Sequence, residues 1–497
     1  MSEEKQKTAI KGGEFLVKKT SSEEIFIPEE WDEEQKMIAK TCTDFVAKEV
    51  TPNLDRIDNK EEGLMPSLLD KAGELGILSI HIPEDFGGMG KDFTTSMLST
   101  EAIGHGHSFA VALAAHTGIG TLPILFYGND EQKKKYIPKL ATGEWKACYC
   151  LTEPEAGSDA NSGKTKATLS EDENHYLLNG QKMWITNGTF ADLMVVFAKI
   201  DDDDDLSAFI VEKEFGGIST NAEEEKMGIR GSSTCQLFFE DCKVPKENLL
   251  FERGKGFKIA LNILNLGRIK LAGAALGGAK DVISQSVKYA NERKQFKHKI
   301  SDFGAIQHKL AEQCIRTYAM ETATYRCSQN IEDMIGYMQE EGKSKSEAIL
   351  KGMEEYAAEA AILKVFASEV LDHVVDEGVQ IHGGMGFSSE TGVERAYRDS
   401  RINRIFEGTN EINRMLIIDM LMRRTMKGEI DLLGPAKKIG DELMSVPDFG
   451  DEPSDEFEEY DQYVENFKKA VLMVAGKAAQ TFGEKLKDEQ EILMYLA

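Results

Sequence analysis

The sequence predicts an α+β multi-domain chain in the order helical, β, helical, helical extension. Three observations carry this. Near residue 148 the apolar spacing changes from threes and fours to alternation, near 256 it changes back, and turn dipeptides punctuate the stretch between. The segments are 1–28, an N-terminal segment; 29–147, helical; 148–253, β; 254–430, a helix bundle; and 431–497, an acidic linker with a helical extension. With 497 residues, 41% of them hydrophobic, there is enough apolar material for several cores.

The first helical region opens at PEEWDEEQKMIAKTCTDFVAKEV, where Pro28 and early acids suit a helix start, and Met37, Cys42, Phe45, Val46 and Val50 form an apolar stripe. HIPEDFGGMGKD (81–92) divides the region into two sets of helices. It is no phosphate-binding P-loop, because Asp92 follows Lys91 and the required first glycine is missing. The runs HYLLNGQKMWITNG, LMVVFAK, LSAFIVE and CQLFFEDCKVP read as strands, with turns at Asn179-Gly180 and Asn187-Gly188 and a solvated loop at DDDDD (201–205). Beyond 256, Ile269, Ala272, Leu276, Ala279, Ile283, Val287 and Ala290 recur at helical spacing, and GAALGGA (273–279) leaves room for another helix. Further helices over 305–330, over 354–377 and from Glu390, with a break at Gly408, complete an antiparallel bundle. Residues 431–460, with Pro435, Pro447 and Pro453, read as loop, and 463–497 as one or two amphipathic helices.

Several functions are disfavoured. A net charge of −27 argues against nucleic-acid binding and requires that any anionic substrate meet local Lys and Arg. No window approaches 18 consecutive apolar residues and no targeting signal is visible, so a cytoplasmic location is expected. Seven cysteines without a CxxC pair read as free thiols, and no HExxH marks a metal site. No G-x-G-x-x-G follows a strand, so a nucleotide cofactor would be held without a Rossmann unit.

Four stretches could carry chemistry. CLTEPEAGSDANS (150–162) offers hydroxyls and a flexible backbone, and KMWITNG (182–188) sets Trp184 and Thr186 on one face of a strand, which suits a planar heteroaromatic. QIHGGMGFSSETGVERAYRD (380–399) brings Gly383, Gly384 and Gly386, where a phosphate could approach the backbone. RIFEGTNEINR (404–414) puts Glu407 between a Phe and a Gly, a setting for a general base in an apolar pocket. Singly, each has a plainer reading: a polar turn, a core Trp, a helix cap, a surface ion pair with Arg404 or Arg414.

Together, in this order, the four stretches closely resemble the acyl-CoA dehydrogenase family over residues 30 to 425, and the helices after 430 resemble the C-terminal extension of its long- and very-long-chain branch. The resemblance implies an α-helical N-terminal domain, a middle β-barrel domain and a C-terminal four-helix bundle plus helical C-terminal extension. It implies FAD bound across a subunit boundary, in a homodimer or homotetramer, and α,β-dehydrogenation of an acyl-CoA with electrons passed to electron-transfer flavoprotein.

Glu407 falls on the family's catalytic base. Tyr149, Leu151, Thr152, Gly157, Ser158, Trp184, Ile185, Thr186, Thr409 and Glu411 fall on FAD contacts, as do Arg293, Phe296, Gln380, Gly383 and Gly384 toward a neighbouring subunit's FAD. Ser158, Asn265, Arg268 and Gly408 fall on substrate contacts, with Arg268 at the CoA portion. Some members carry the base at the position of Gly267, which here cannot serve. Where the family often has Gln, this chain has Gly304, with Gln307 nearby as a substitute. Val111 and Ala115 occupy positions that close the pocket in medium-chain members, so a long-chain substrate is expected, with peripheral membrane association through the extension. The rivals are an acyl-CoA oxidase, a decarboxylating glutaryl-CoA-type enzyme and a non-catalytic scaffold or assembly factor.

Overall fold

The computed structural model describes residues 10–21, 25–443 and 456–497. Helices from Glu33–Phe45 to Asp130–Thr142 form the first layer, and the turn over 81–92 ends where Asp92 caps Phe93–Ile103 by accepting from Thr95 N at 2.6 Å. The Cys42, Phe45, Val46 and Val50 stripe is core; Met37 is exposed.

The chain then enters an eight-stranded sheet. The order runs from Ile218–Thr220 through Thr234–Pro245, His175–Thr186, Lys166–Leu169, Leu193–Ile200 and Leu206–Glu212 to Leu249–Leu250, with Ala147–Cys150 paired parallel to Leu193–Ile200. The aspartate run joins Leu193–Ile200 to Leu206–Glu212 as an antiparallel pair.

Gly256–Glu292, Gly304–Glu340, Ala357–His382 and Asn410–Met426 form the bundle. The small-residue run works as expected, and its partner is Phe93–Ile103. A Cβ on Gly277 would lie 2.0 Å from Glu101 O, so only glycine admits this approach of the first layer to the bundle. Val287 is exposed despite its place in the periodic pattern.

Two expectations need correction. Gly304–Glu340 runs past 330 and is followed by a further helix, Lys345–Glu355, whose Ser344–Glu347 capping box is legible in the sequence. Leu433–Leu443 is helical within the stretch read as loop, because Pro435 stands in its first turn, where proline is tolerated; 444–455 lie outside the described residues. Two stretches, Ser108–Tyr127 and Gly256–Glu292, are long and apolar enough to cross a membrane, but their apolar windows are 67% and 61% buried in the fold, where they serve as core helices.

Candidate active site

Glu407 is delivered by a strained turn. After the short helix Arg401–Arg404, Glu407 (φ 59°) and Gly408 (φ 80°) are both left-handed, and Thr409 then caps Asn410–Met426 by accepting from Ile412 N at 3.3 Å. Left-handed geometry costs a non-glycine residue about 1–2 kcal/mol, and the surroundings enforce it. Glu407 O accepts from Arg268 Nε and Asn413 Nδ2, both at 3.3 Å. Gly408 O accepts from Lys364 Nζ and Asn413 Nδ2, both at 2.8 Å. A Cβ on Gly408 would stand 3.1 Å from Asn413 Nδ2, so glycine meets both demands, conformation and space.

The turn aims the Glu407 carboxylate into a cavity of about 240 Å³, lined also by Thr186, Phe406, Gly267, Val111 and Ala115. Oε2 is shielded and has no hydrogen-bond partner among the described residues. Burial raises the pKa of Glu407 to about 7, against the opposing pull of the Arg268 and Lys364 charges. A Cβ on Gly267 would lie 2.7 Å from Oε2 and 2.9 Å from Cδ. Position 267 therefore has no room for a side chain while Glu407 faces inward.

The loop after Ala147–Cys150 borders the same region. Tyr149 and Leu151 are buried with the core, and the Tyr149 hydroxyl has no partner among the described residues, whereas Gly157 and Ser158 are exposed. A buried ion pair anchors the loop: Lys182 Nζ sits 2.6 Å from Glu153 Oε1 and donates to Leu151 O at 3.2 Å, while Glu153 accepts from Lys164 N and Thr165 N. Met183 N donates to Thr152 O at 2.9 Å, tying loop to strand.

Trp184 and Thr186 stand on the face opposite the buried Ile185, as strand alternation predicts. A bulge lies between Lys182 and Ile185, Trp184 is left-handed (φ 60°), and its ring is 54% exposed, whereas Thr186 lines the cavity. The Ile185 side chain points into the β core, so only its backbone can serve a ligand.

A second group assembles elsewhere. Phe296 (φ 52°) and Lys297 (φ 69°) form the two-residue turn of the Lys294–Gln295/His298–Lys299 hairpin, and Phe296 is 85% exposed. Tyr289 stacks on His382 at 4.2 Å, which brings Arg293 and this hairpin beside the exposed Gln380, Gly383 and Gly384. Along Gly256–Glu292, position 293 lies roughly 40 Å from position 267, so this group and Glu407 belong to different sites on one protomer. Gly304 opens its helix, and Gln307 donates to Ser301 O at 3.0 Å.

Residues 32–144, 148–242 and 254–422 match the sequence profiles of the acyl-CoA dehydrogenase N-terminal, middle and C-terminal domains. The chain belongs to the acyl-CoA dehydrogenase family. Residues 466–497 match a further acyl-CoA dehydrogenase C-terminal profile. A solved acyl-CoA dehydrogenase from Bacillus anthracis, complexed with FAD, is 51% identical with a TM-score of 0.95, covering 98% of this chain and 83% of that one. A probable acyl-CoA dehydrogenase of Bacillus subtilis (strain 168) is 50% identical over 488 residues, 98% of this chain and 82% of its own length. The human mitochondrial very long-chain specific acyl-CoA dehydrogenase is 43% identical over 353 residues; the match spans 69% of this chain and 51% of that protein.

In this acyl-CoA dehydrogenase, Arg268 stands beside the Glu407 turn. It is 4% exposed, and donates to Glu407 O and, through Nη1, to Asn265 Oδ1 at 2.8 Å. Sequence reasoning missed Lys364, Asn413 and the Lys182–Glu153 pair. A lone lysine in the apolar run AAILKVFASEVL was the available signal for Lys364, which is fully buried.

Proposed function

We propose that the protein catalyses FAD-dependent α,β-dehydrogenation of long-chain acyl-CoA to trans-2-enoyl-CoA, with Glu407 as the base and electron-transfer flavoprotein as acceptor. The observation that carries the proposal is the inward Glu407 carboxylate sharing one cavity with Thr186.

The residues present fit FAD. A Cβ on Gly157, Gly383 or Gly384 would meet nothing within 4 Å, and Trp184 offers an open ring face at a bulge. Tyr149, Leu151, Thr152, Gly157, Ser158, Trp184, Thr186, Thr409 and Glu411 would hold the FAD of their own subunit, with Ile185 contributing its backbone. Arg293, Phe296, Gln380, Gly383 and Gly384 would hold that of a neighbour, which makes the protein at least a dimer. When bound, FAD supplies the acceptor for the hydride from the substrate β-carbon.

The chain's own groups do the rest. Glu407 Oε2, without a partner and with a pKa near 7, takes the α-proton. The Glu407 N–H donates to no backbone carbonyl among the described residues and is left to polarise the thioester oxygen. Arg268, Asn413 and Lys364 act as positioning residues that hold the turn, and Ser158, Asn265 and Gly408 border the thioester and CoA. The small side chains of Val111 and Ala115 leave an apolar passage toward Ile77 and Ile80, which supports a long acyl chain. The extension exposes Phe457, Tyr460, Tyr463 and Phe467, an apolar stripe that supports peripheral membrane contact, although interleaved acids disfavour an anionic surface.

Anaerobic titration of the flavoprotein with saturated acyl-CoAs of four to twenty carbons is expected to bleach the flavin most readily with the long chains. Lack of bleaching by any of them would sink the proposal. Gly267→Ala is expected to keep the flavin and slow bleaching at least about tenfold, because the new methyl displaces the carboxylate; an unchanged rate would refute the clearance argument.

A further inference from the structure

We propose that the acyl cavity holds a subsite for a carboxylate at the far end of the chain, centred on Lys270, so that the enzyme accepts mono-CoA thioesters of α,ω-dicarboxylic acids. This rests on the acyl-CoA reading above. A second cavity, of about 190 Å³, adjoins the first, and His81, Ser96, Leu266 and Lys270 line both. Lys270 stands three residues beyond Gly267, on the helix face that meets Glu407. Its ammonium is turned away from that base, for the cations that act on Glu407 are Arg268 and Lys364.

Lys270 has no hydrogen bond or ion pair among the described residues, and burial, with no carboxylate opposing it, lowers its pKa to about 8. His81 Nε2 is shielded and has no partner among the described residues. Burial, and then the Lys270 charge, keep that imidazole neutral. The other charged groups of the second cavity are engaged elsewhere. Glu332 accepts from Phe93 N at 2.7 Å, Asp92 accepts from Thr95 N at 2.6 Å, Lys345 donates to Gly90 O at 3.2 Å, and Lys91 pairs with Glu34 at 2.6 Å.

Lys270 is half-buried at the wall shared by the two cavities, and no carboxylate there pairs with its ammonium. An ammonium has three donors: one can serve His81 Nε2, and two remain for a carboxylate, with the hydroxyl of the buried Ser96 as a further donor. A hydrocarbon chain end at this wall would leave all of them unanswered. A chain whose terminal carboxylate reaches Lys270 would answer them with charge-assisted hydrogen bonds.

The test compares acyl-CoAs with ω-carboxyacyl-CoAs of equal length, from six to sixteen carbons, on the FAD-loaded enzyme, by anaerobic bleaching and steady-state KM and kcat. Within one window of lengths the wild type is expected to show a KM at least tenfold lower for the ω-carboxy compound. Lys270→Met should erase that preference with kcat unchanged and lower the KM for the plain partner, and Lys270→Arg should retain it. A wild type that prefers the plain thioester at every length overturns the subsite, as does a Lys270→Met variant that moves both series equally. If plain thioesters bleach the flavin and ω-carboxy ones do not, this inference alone falls; if neither series does, the proposed function falls and takes it along.

Discussion

Glu407→Gln is expected to bind FAD and acyl-CoA normally and to lose roughly 10³–10⁴-fold in the rate of flavin reduction, because the amide keeps the shape of the carboxyl but cannot take a proton. The same group sets the pH dependence. With a pKa near 7 it is half protonated at neutrality, so the wild-type kcat/KM should fall about tenfold per unit as pH drops below 7 and level off above it. The Gln variant should lack that limb.

Glu407 also has a signature in stability. Its folded pKa, about 7, lies above the ordinary value of 4.5, so between those values the native state holds a proton that the unfolded chain has released. Stability therefore falls as pH rises through this window, by up to about 3 kcal/mol, and the cost is absent below it. Glu407→Gln should raise the apparent melting temperature at pH 8 relative to wild type, with the gap closing toward pH 4.5. A variant reduced within tenfold of the wild-type rate would remove Glu407 as the base, whatever its melting temperature.

Lys182→Met is expected to be the most destabilising single change near the site. Lys182 is 0% exposed and its partner Glu153 is 6% exposed, so the substitution strands a buried carboxylate. Burial alone would raise the Glu153 pKa; the Lys182 charge, its hydrogen bond and the Lys164 and Thr165 contacts hold it below the ordinary value. Breaking such a pair from one side costs about 3–5 kcal/mol. Because Lys182 also holds Leu151 O, the loop that carries Thr152, Gly157 and Ser158 should loosen, and purified protein should carry less flavin. Lys182→Met with Glu153→Gln should recover most of the stability, since no charge is then left unpaired and the amide oxygen still accepts from Lys164 N and Thr165 N. A single variant that melts with wild type and keeps its flavin would show that the pair anchors nothing.

The domain order was legible because hydrophobic period is a local property: alternation after 148 and the return of threes and fours after 256 report which faces are buried, whatever they are buried against. The helix Lys345–Glu355 was missed, although its capping box, Ser344 with Glu347, stands in the sequence. The bulge at Trp184 was not legible, since nothing in KMWITNG announces one, yet Trp184 and Thr186 keep the face opposite Ile185. The hold of Arg268 on Glu407 O was not legible because the two residues are 139 positions apart in the chain.

By itself, then, the sequence determined the succession of helical and β regions, the small-residue face over 273–279, and the presence of a carboxylate followed by a glycine at 407 and 408. Only the tertiary structure decided that this carboxylate points inward, that Gly267 leaves it the space, that Lys364 and Asn413 hold its turn, and that an unpaired lysine waits at a wall of the same cavity. The physical reason is range. Backbone preference and side-chain period are set within a few residues, whereas burial, pKa and clearance depend on atoms that the packing of a turn against a helix brings together from 140 positions apart, Glu407 and Gly267.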